Sequence, residues 1–266
     1  MFRLLMTAVA VLTASVFAIS TARAEVQSET VTYNLDGKEF TGYMAWDDDY
    51  EGFRPGVVVV HEWWGHNDYA RMRADLLAKN GYTAFALDMY GTGKLAEHPS
   101  DAKAFMMEAI EKSEQAVARF ETALAILRAH PTVDPQKTAA IGYCFGGAVV
   151  LNMARAGANL DGVVSYHGNL SPMVEPTGNP IQTEVLVYTG GSDPFVPADQ
   201  VAAFETEMTE LGVKYELVSY PWAVHSFTNP GADEKAAKYD MPLRYDSLAD
   251  GDSWIGTMNF FDRLFK

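Results

Sequence analysis

Residues 137–147 read Lys137-Thr138-Ala139-Ala140-Ile141-Gly142-Tyr143-Cys144-Phe145-Gly146-Gly147, a strand-forming run that hands over to a helical stretch. Glycines two positions before and two after Cys144 mark a sharp strand-to-helix turn, in which the backbones pass too closely for side chains. A nucleophile at the centre of such an elbow projects from the start of a helix. Unsatisfied N–H groups and the positive dipole end there favour a negatively charged sulfur. Cys144 is the only cysteine in the chain, so it has no intramolecular disulfide partner. The bland alternative, a small buried apolar residue, gives no reason for the glycine spacing.

Outward from the elbow, strand and helix signals alternate. Residues 31–33 and 40–46, separated by Asp36-Gly37, read as an antiparallel hairpin. The β-branched run at 57–61 fits a strand buried on both faces, and 82–87 the next strand after a helix at 67–80 closed by Gly81. The stretch 100–129, with Ser100 as its cap, reads as one long helix or two, stopped by Pro131. Further strands are expected at 162–166, 185–188 and 215–220, with helices at 145–156, 197–211 and 254–265. This alternation predicts an α/β fold with a mostly parallel central sheet covered by helices on both faces. Ligands in such sheets gather beyond the carboxyl ends of the strands. Two strand ends supply chemistry there: Asp193 after 185–191, and His225 after 215–220. The chain order nucleophile, acid, histidine lets Asp193 orient His225 and lets His225 carry a proton between sulfur and leaving group. The competing readings are a turn-capping aspartate and a surface histidine.

Composition sets the outer bounds. Residues 1–24 carry Arg3, an apolar core and the ending Ala22-Arg23-Ala24, the layout of a secretory signal peptide, although an uncleaved anchor is the alternative. Residues 25–266 are then expected to form one domain in a periplasmic or secreted protein. The formal net charge of −15 repels phosphate backbones and anionic lipid, which argues against nucleic-acid partners and against membrane binding once the signal is cleaved. A monomer or weak dimer is expected. His61-Glu62-Trp63-Trp64-Gly65-His66 does not hold its histidines at the i, i+4 spacing of a helical zinc motif, so no metal is expected. Asp47-Asp48-Asp49 reads as a solvated turn, and His167, which follows a strand, as a structural histidine before a pocket-lining one. No phosphate loop or dinucleotide fingerprint is present, and no cofactor is expected.

Taken together, Gly142 to Gly147, Asp193, His225-Ser226-Phe227, His61 to Gly65, Asp88-Met89-Tyr90-Gly91 and Ser253-Trp254 resemble the dienelactone hydrolase family of the α/β-hydrolases. The resemblance implies a cysteine nucleophile (Cys144) with His225 and Asp193, and a glutamate, Glu62, that contacts the resting cysteine. Such a carboxylate opposes thiolate formation and protects the sulfur from oxidation. The backbone N–H groups of Phe145 and Trp63 are the expected oxyanion donors. The resemblance also implies arginines that grip a substrate carboxylate. The corresponding neighbourhoods here, Tyr90-Gly91-Thr92-Gly93-Lys94 and Phe227-Thr228-Asn229-Pro230, hold none, and Lys94 lacks the planar fork. The expected substrate is therefore a neutral or weakly charged small-molecule ester or lactone, held by Trp63, Tyr90, Phe195 and Trp222, with Lys94 as the stand-in cation. Because a thiolate leaves a tetrahedral adduct more readily than an alkoxide, enol esters, lactones opening to enolates, aryl esters and thioesters fit best. A non-catalytic binding protein of the same fold and a thiol redox sensor are the alternatives.

Overall fold

The computed structural model describes residues 26–174 and 181–266, so the expected leader lies outside the described residues. Val26–Leu35 (β1) and Lys38–Asp47 (β2) form the entry hairpin, paired along their whole length. Its loop is Asp36 and Gly37, at φ +52° and +77°, the left-handed pair that a two-residue turn of this twist demands. The first strand runs well beyond the apolar stretch that announced it. Next come Arg54–Val60 (β3), Thr83–Leu87 (β4), Val133–Tyr143 (β5), Gly162–Tyr166 (β6), Glu184–Gly190 (β7) and Tyr215–Tyr220 (β8). One eight-stranded sheet results, in the order β1-β2-β4-β3-β5-β6-β7-β8. The β1–β2 and β2–β4 pairs are antiparallel and the rest parallel.

The helices divide between the two faces, as a parallel sheet requires. Val58 and Val60 pack with Phe120 and Leu124 of Ser113–Ala129 (α3) and Val149 of Phe145–Arg155 (α4). Val57 and Val59 face the other way, toward Ala74 and Leu77 of Asp68–Lys79 (α1) and Phe260 and Phe261 of Ser247–Leu264 (α7). All four valines are fully buried, which explains why β3 reads as an unbroken apolar run. Asn67 caps α1 through its side chain, which accepts from the Tyr69 N–H. The stretch 100–129 is two helices, Pro99–Ile110 (α2) and α3, because Lys112 leaves the helical region. The side chain capping α2 is that of His98, not Ser100. Ala198–Glu210 (α5) follows β7, and the short Ala232–Tyr239 (α6) had no counterpart in the sequence reading. No helix among the described residues is long and apolar enough to cross a membrane.

At the carboxyl ends of the strands, Tyr143, Tyr166, Tyr188 and Tyr220 stack in a row across β5 to β8, with neighbouring ring centroids 4.7, 5.3 and 6.3 Å apart. These cross-strand pairs fix the relative height of the strand ends from which the candidate residues project. The elbow itself is set by backbone contact. A Cβ on Gly142 would collide with the Gly146 carbonyl, and one on Gly146 with the Val60 carbonyl. Gly147 lies as closely against β6, where a Cβ would come within 2.7 Å of Ser165 Oγ. Because each obstacle at Gly142 and Gly146 is backbone, Gly146→Ala is expected to cost at least about 2 kcal/mol, read as a lowered denaturation midpoint. A melting curve indistinguishable from that of the parent protein would contradict the close crossing.

Candidate active site

Cys144 ends β5 and caps α4, with φ +54°, a conformation that non-glycine residues hold only under constraint. Its N–H donates to the Tyr166 carbonyl at 3.0 Å and to His167 Nδ1 at 3.1 Å. The thiol is half-buried and free. It faces a cavity of about 320 Å³ that His225 also lines. His225 follows β8 and Asp193 follows β7, so the two adjacent strands bring them together: Nδ1 of His225 donates to Asp193 Oδ2 at 2.7 Å. Asp193 Oδ1 accepts from the Phe195 N–H at 2.8 Å, which locks the carboxylate's rotation. Burial alone would drive His225 toward its neutral form. The Cys144 sulfur and the Asp193 carboxylate outweigh it and raise the imidazole to about 10.

Glu62 sits at the end of β3, buried, but its oxygens do not go to the thiol. Ser226 Oγ donates to Oε1 at 2.9 Å and Asn229 Nδ2 to Oε2 at 2.6 Å. The expected contact between Glu62 and the resting cysteine is therefore replaced by a brace on the loop that carries His225. Burial raises the acid above the usual carboxylate range, and the two hydrogen bonds pull the other way. That loop has a second fastening: His225 pairs with Leu243, and the Arg244 N–H donates to the His225 carbonyl at 3.2 Å. Leu243 and Met241 stand on the cavity wall.

The expected pocket residues divide. Trp63 and Phe195 line the cavity, with the Phe195 ring edge-on to His225 at 5.0 Å, and Phe145 lines it as well. Tyr90 does not line it. Its ring is buried behind the wall against His61 and Phe145, and its hydroxyl donates to the Trp63 carbonyl at 3.1 Å, so it fixes the loop that would present the Trp63 N–H. Lys94 is drawn to Glu108 at 2.6 Å and lies over Phe105 instead of reaching the cavity. Trp222, 52% exposed, lies tilted against Tyr220 outside it. The actual wall draws on Met106 and Ile110 of α2 and on Met173, Val196, Met241 and Leu243. The Phe145 N–H belongs to the first turn of α4, where no intrahelical acceptor exists.

His167 emerges as more than filler. It is fully buried at φ +41°, and its Nε2 bonds Thr228 Oγ1 at 2.8 Å, which in turn meets the Tyr69 hydroxyl at 2.7 Å. Arg73 backs this chain, bonding the Thr228 carbonyl and pairing with Asp250 at 2.6 Å. Burial, and then His225 and Arg73, push the His167 imidazole far below its ordinary value, so it stays neutral and its Nδ1 can accept from Cys144. Ser226, Asn229 and His167 were not picked out from the sequence as site residues. Their only signal was adjacency to strand ends.

An eight-stranded, mostly parallel sheet covered by helices on both faces, with Cys144, Asp193 and His225 beyond its strand ends, is an α/β-hydrolase fold. The dienelactone hydrolase family profile matches residues 40–265, and the chain belongs to that family. It is accordingly a hydrolase of the class that acts on esters or lactones. The chain is 36% identical to a dienelactone hydrolase-like promiscuous phosphotriesterase from metagenomic libraries, with a TM-score of 0.83 over 90% of this chain and 98% of that one. "Protein usf" of Aquifex pyrophilus is 27% identical, covering 88% of this chain and 97% of its own length. A protein of Aquifex aeolicus, named as a candidate carboxymethylenebutenolidase, is 26% identical over 90% of this chain and 99% of its own.

Two measurements follow from this geometry. His225 titrates higher in the folded than in the unfolded chain, so its contribution to stability is full below about pH 6.5 and lost as pH rises through about 10. The melting temperature should fall across that window, and fall less in Cys144→Ala or Asp193→Asn; equal slopes in all three proteins would refute the coupling. His167→Phe is expected to cost about 1–3 kcal/mol in a denaturant melt, and His167→Asn less, because its oxygen can stand where Nδ1 accepts.

Proposed function

We propose that this chain hydrolyses activated esters or lactones with Cys144 as nucleophile, His225 as the proton carrier and Asp193 as its orienting acid. The observation that carries the reading is the 2.7 Å bond from His225 Nδ1 to Asp193, on a ring that lines the same cavity as the thiol. The imidazolium form, favoured by Cys144 and Asp193, leaves the sulfur as the attacking thiolate. Attack forms a carbon–sulfur bond at the acyl carbon, and the carbonyl pair moves onto oxygen. In this reading the N–H groups of Phe145 and Trp63 receive that charge. As the pair returns, the bond to the leaving oxygen breaks and His225 gives that oxygen its proton, producing a thioester on Cys144. A water then attacks the thioester while His225 takes one of its protons, and the thiolate departs with release of the acid.

Sulfur departs from the first adduct more easily than an alkoxide, so only substrates with acidic leaving groups go forward efficiently, which supports aryl and enol esters, lactones of that kind and thioesters. Glu62 acts through Ser226 and Asn229 by holding the histidine loop. The leader pattern at residues 1–24 supports work outside the cytoplasm, in the periplasm or medium. Purified protein should hydrolyse p-nitrophenyl acetate, with intact mass showing one acetyl group on Cys144 at early times. Cys144→Ala or His225→Gln should lower kcat/KM by at least about 1000-fold. Undiminished turnover in Cys144→Ala would overturn the assignment, and saturable binding with no acyl adduct would favour a binding protein instead.

A further inference from the structure

We infer that the cavity selects an uncharged, activated ester or lactone with an aliphatic acyl part by its lack of charge and its apolar bulk, not by a fixed outline; this deepens the hydrolytic reading above and rests on it. The wall takes one methionine from each of three separate segments: Met106 on α2, Met173 after β6 and Met241 after α6. Unbranched thioether side chains re-pack around different shapes at little cost, so such a wall tolerates varied aliphatic chains. At about 30 Å³ per water-sized group, 320 Å³ holds roughly ten heavy atoms beyond the reacting carbonyl.

A carboxylate finds no partner there. Among the described residues His225 is the only lining residue able to carry a positive charge, and its ring is committed to Asp193 and the thiol. Cations around the site are engaged elsewhere: Lys94 with Glu108, Arg73 with Asp250, Arg155 with Glu207 through two bonds of 2.7 and 2.6 Å, and Lys235 over the Trp64 ring at 3.9 Å. Arg119 donates to the Met89 carbonyl at 2.8 Å. Among the described lining residues the neutral side-chain donors are the Trp63 indole and the amide of Asn169; Asn169 Oδ1 is already taken by the Ser171 N–H at 3.0 Å, leaving its NH₂ for an ester or lactone oxygen. An anion entering this cavity would lose its hydration without replacement, and the chain's net charge of −15 repels it on approach.

The test uses the intact protein and needs no turnover. Cys144 sulfur displaces iodide from N-ethyl, N-butyl and N-hexyl iodoacetamide and from N-(5-carboxypentyl)iodoacetamide, each time forming a thioether, and rates are read by intact mass against glutathione as reference. The expected result is a rise of about threefold per added CH₂ up to the cavity's capacity. The carboxylate-tipped reagent should react on the order of 100-fold more slowly than N-hexyl iodoacetamide. Met106→Arg should narrow that gap at least about tenfold. Met173→Arg, at a more exposed position, serves the same purpose if the first variant folds poorly. Equal rates for the charged and uncharged reagents, or rates indifferent to chain length, would overturn the inference. Selective labelling without ester turnover would sink the hydrolytic reading alone. Cys144-dependent turnover with flat labelling would sink this one alone.

Discussion

Everything at the active edge depends on how closely three backbones cross. Gly142 lies against Gly146, Gly146 against Val60 and Gly147 against Gly168, with no room for a single Cβ. Only this approach turns the chain sharply enough between β5 and α4 to hold Cys144 in a left-handed conformation, sulfur outward and the first free N–H of the helix alongside. The strain at Cys144 is tolerated because its N–H is gripped twice, by the Tyr166 carbonyl and by His167. The row of stacked tyrosines beneath supplies the level base from which Asp193 and His225 rise on the neighbouring strands.

Much of this was legible in the sequence because it is local. Glycine spacing around Cys144 encodes the elbow, Asp36-Gly37 encodes the hairpin turn, and the valine run of β3 encodes burial on both faces. Asp193 and His225 were legible because each lies in the short loop that follows a strand. What was not legible is contact between residues distant along the chain. Nothing in the neighbourhood of Glu62 announces Ser226 and Asn229 as its partners, and nothing around His167 announces Thr228. Tyr90 and Lys94 follow β4 closely enough to be read as wall, yet the tyrosine turns inward under Trp63 and the lysine turns outward to Glu108. Periodicity gives the face of a helix, but not that α2 lays Met106 and Ile110 over the cavity.

Charge is distributed to one end. Two histidines stand with ring centroids 5.2 Å apart and are driven in opposite directions, His225 toward the cation by sulfur and carboxylate, His167 toward neutrality by burial and by the cations around it. One ring can therefore exchange a proton while the other serves as a fixed acceptor. That division needs Arg73, buried beside Tyr69 and Thr228, to stay charged through its pairing with Asp250.

The small ladder between His225 and Leu243 ties the lining of the cavity to the imidazole itself. Enlarging or reshaping that side of the chamber tugs on His225, so this flank cannot drift freely toward new ligands without moving the imidazole. The flank that α2 supplies through Met106 and Ile110 carries no such ladder, and diversification of ligand preference within such an architecture has its least encumbered path there.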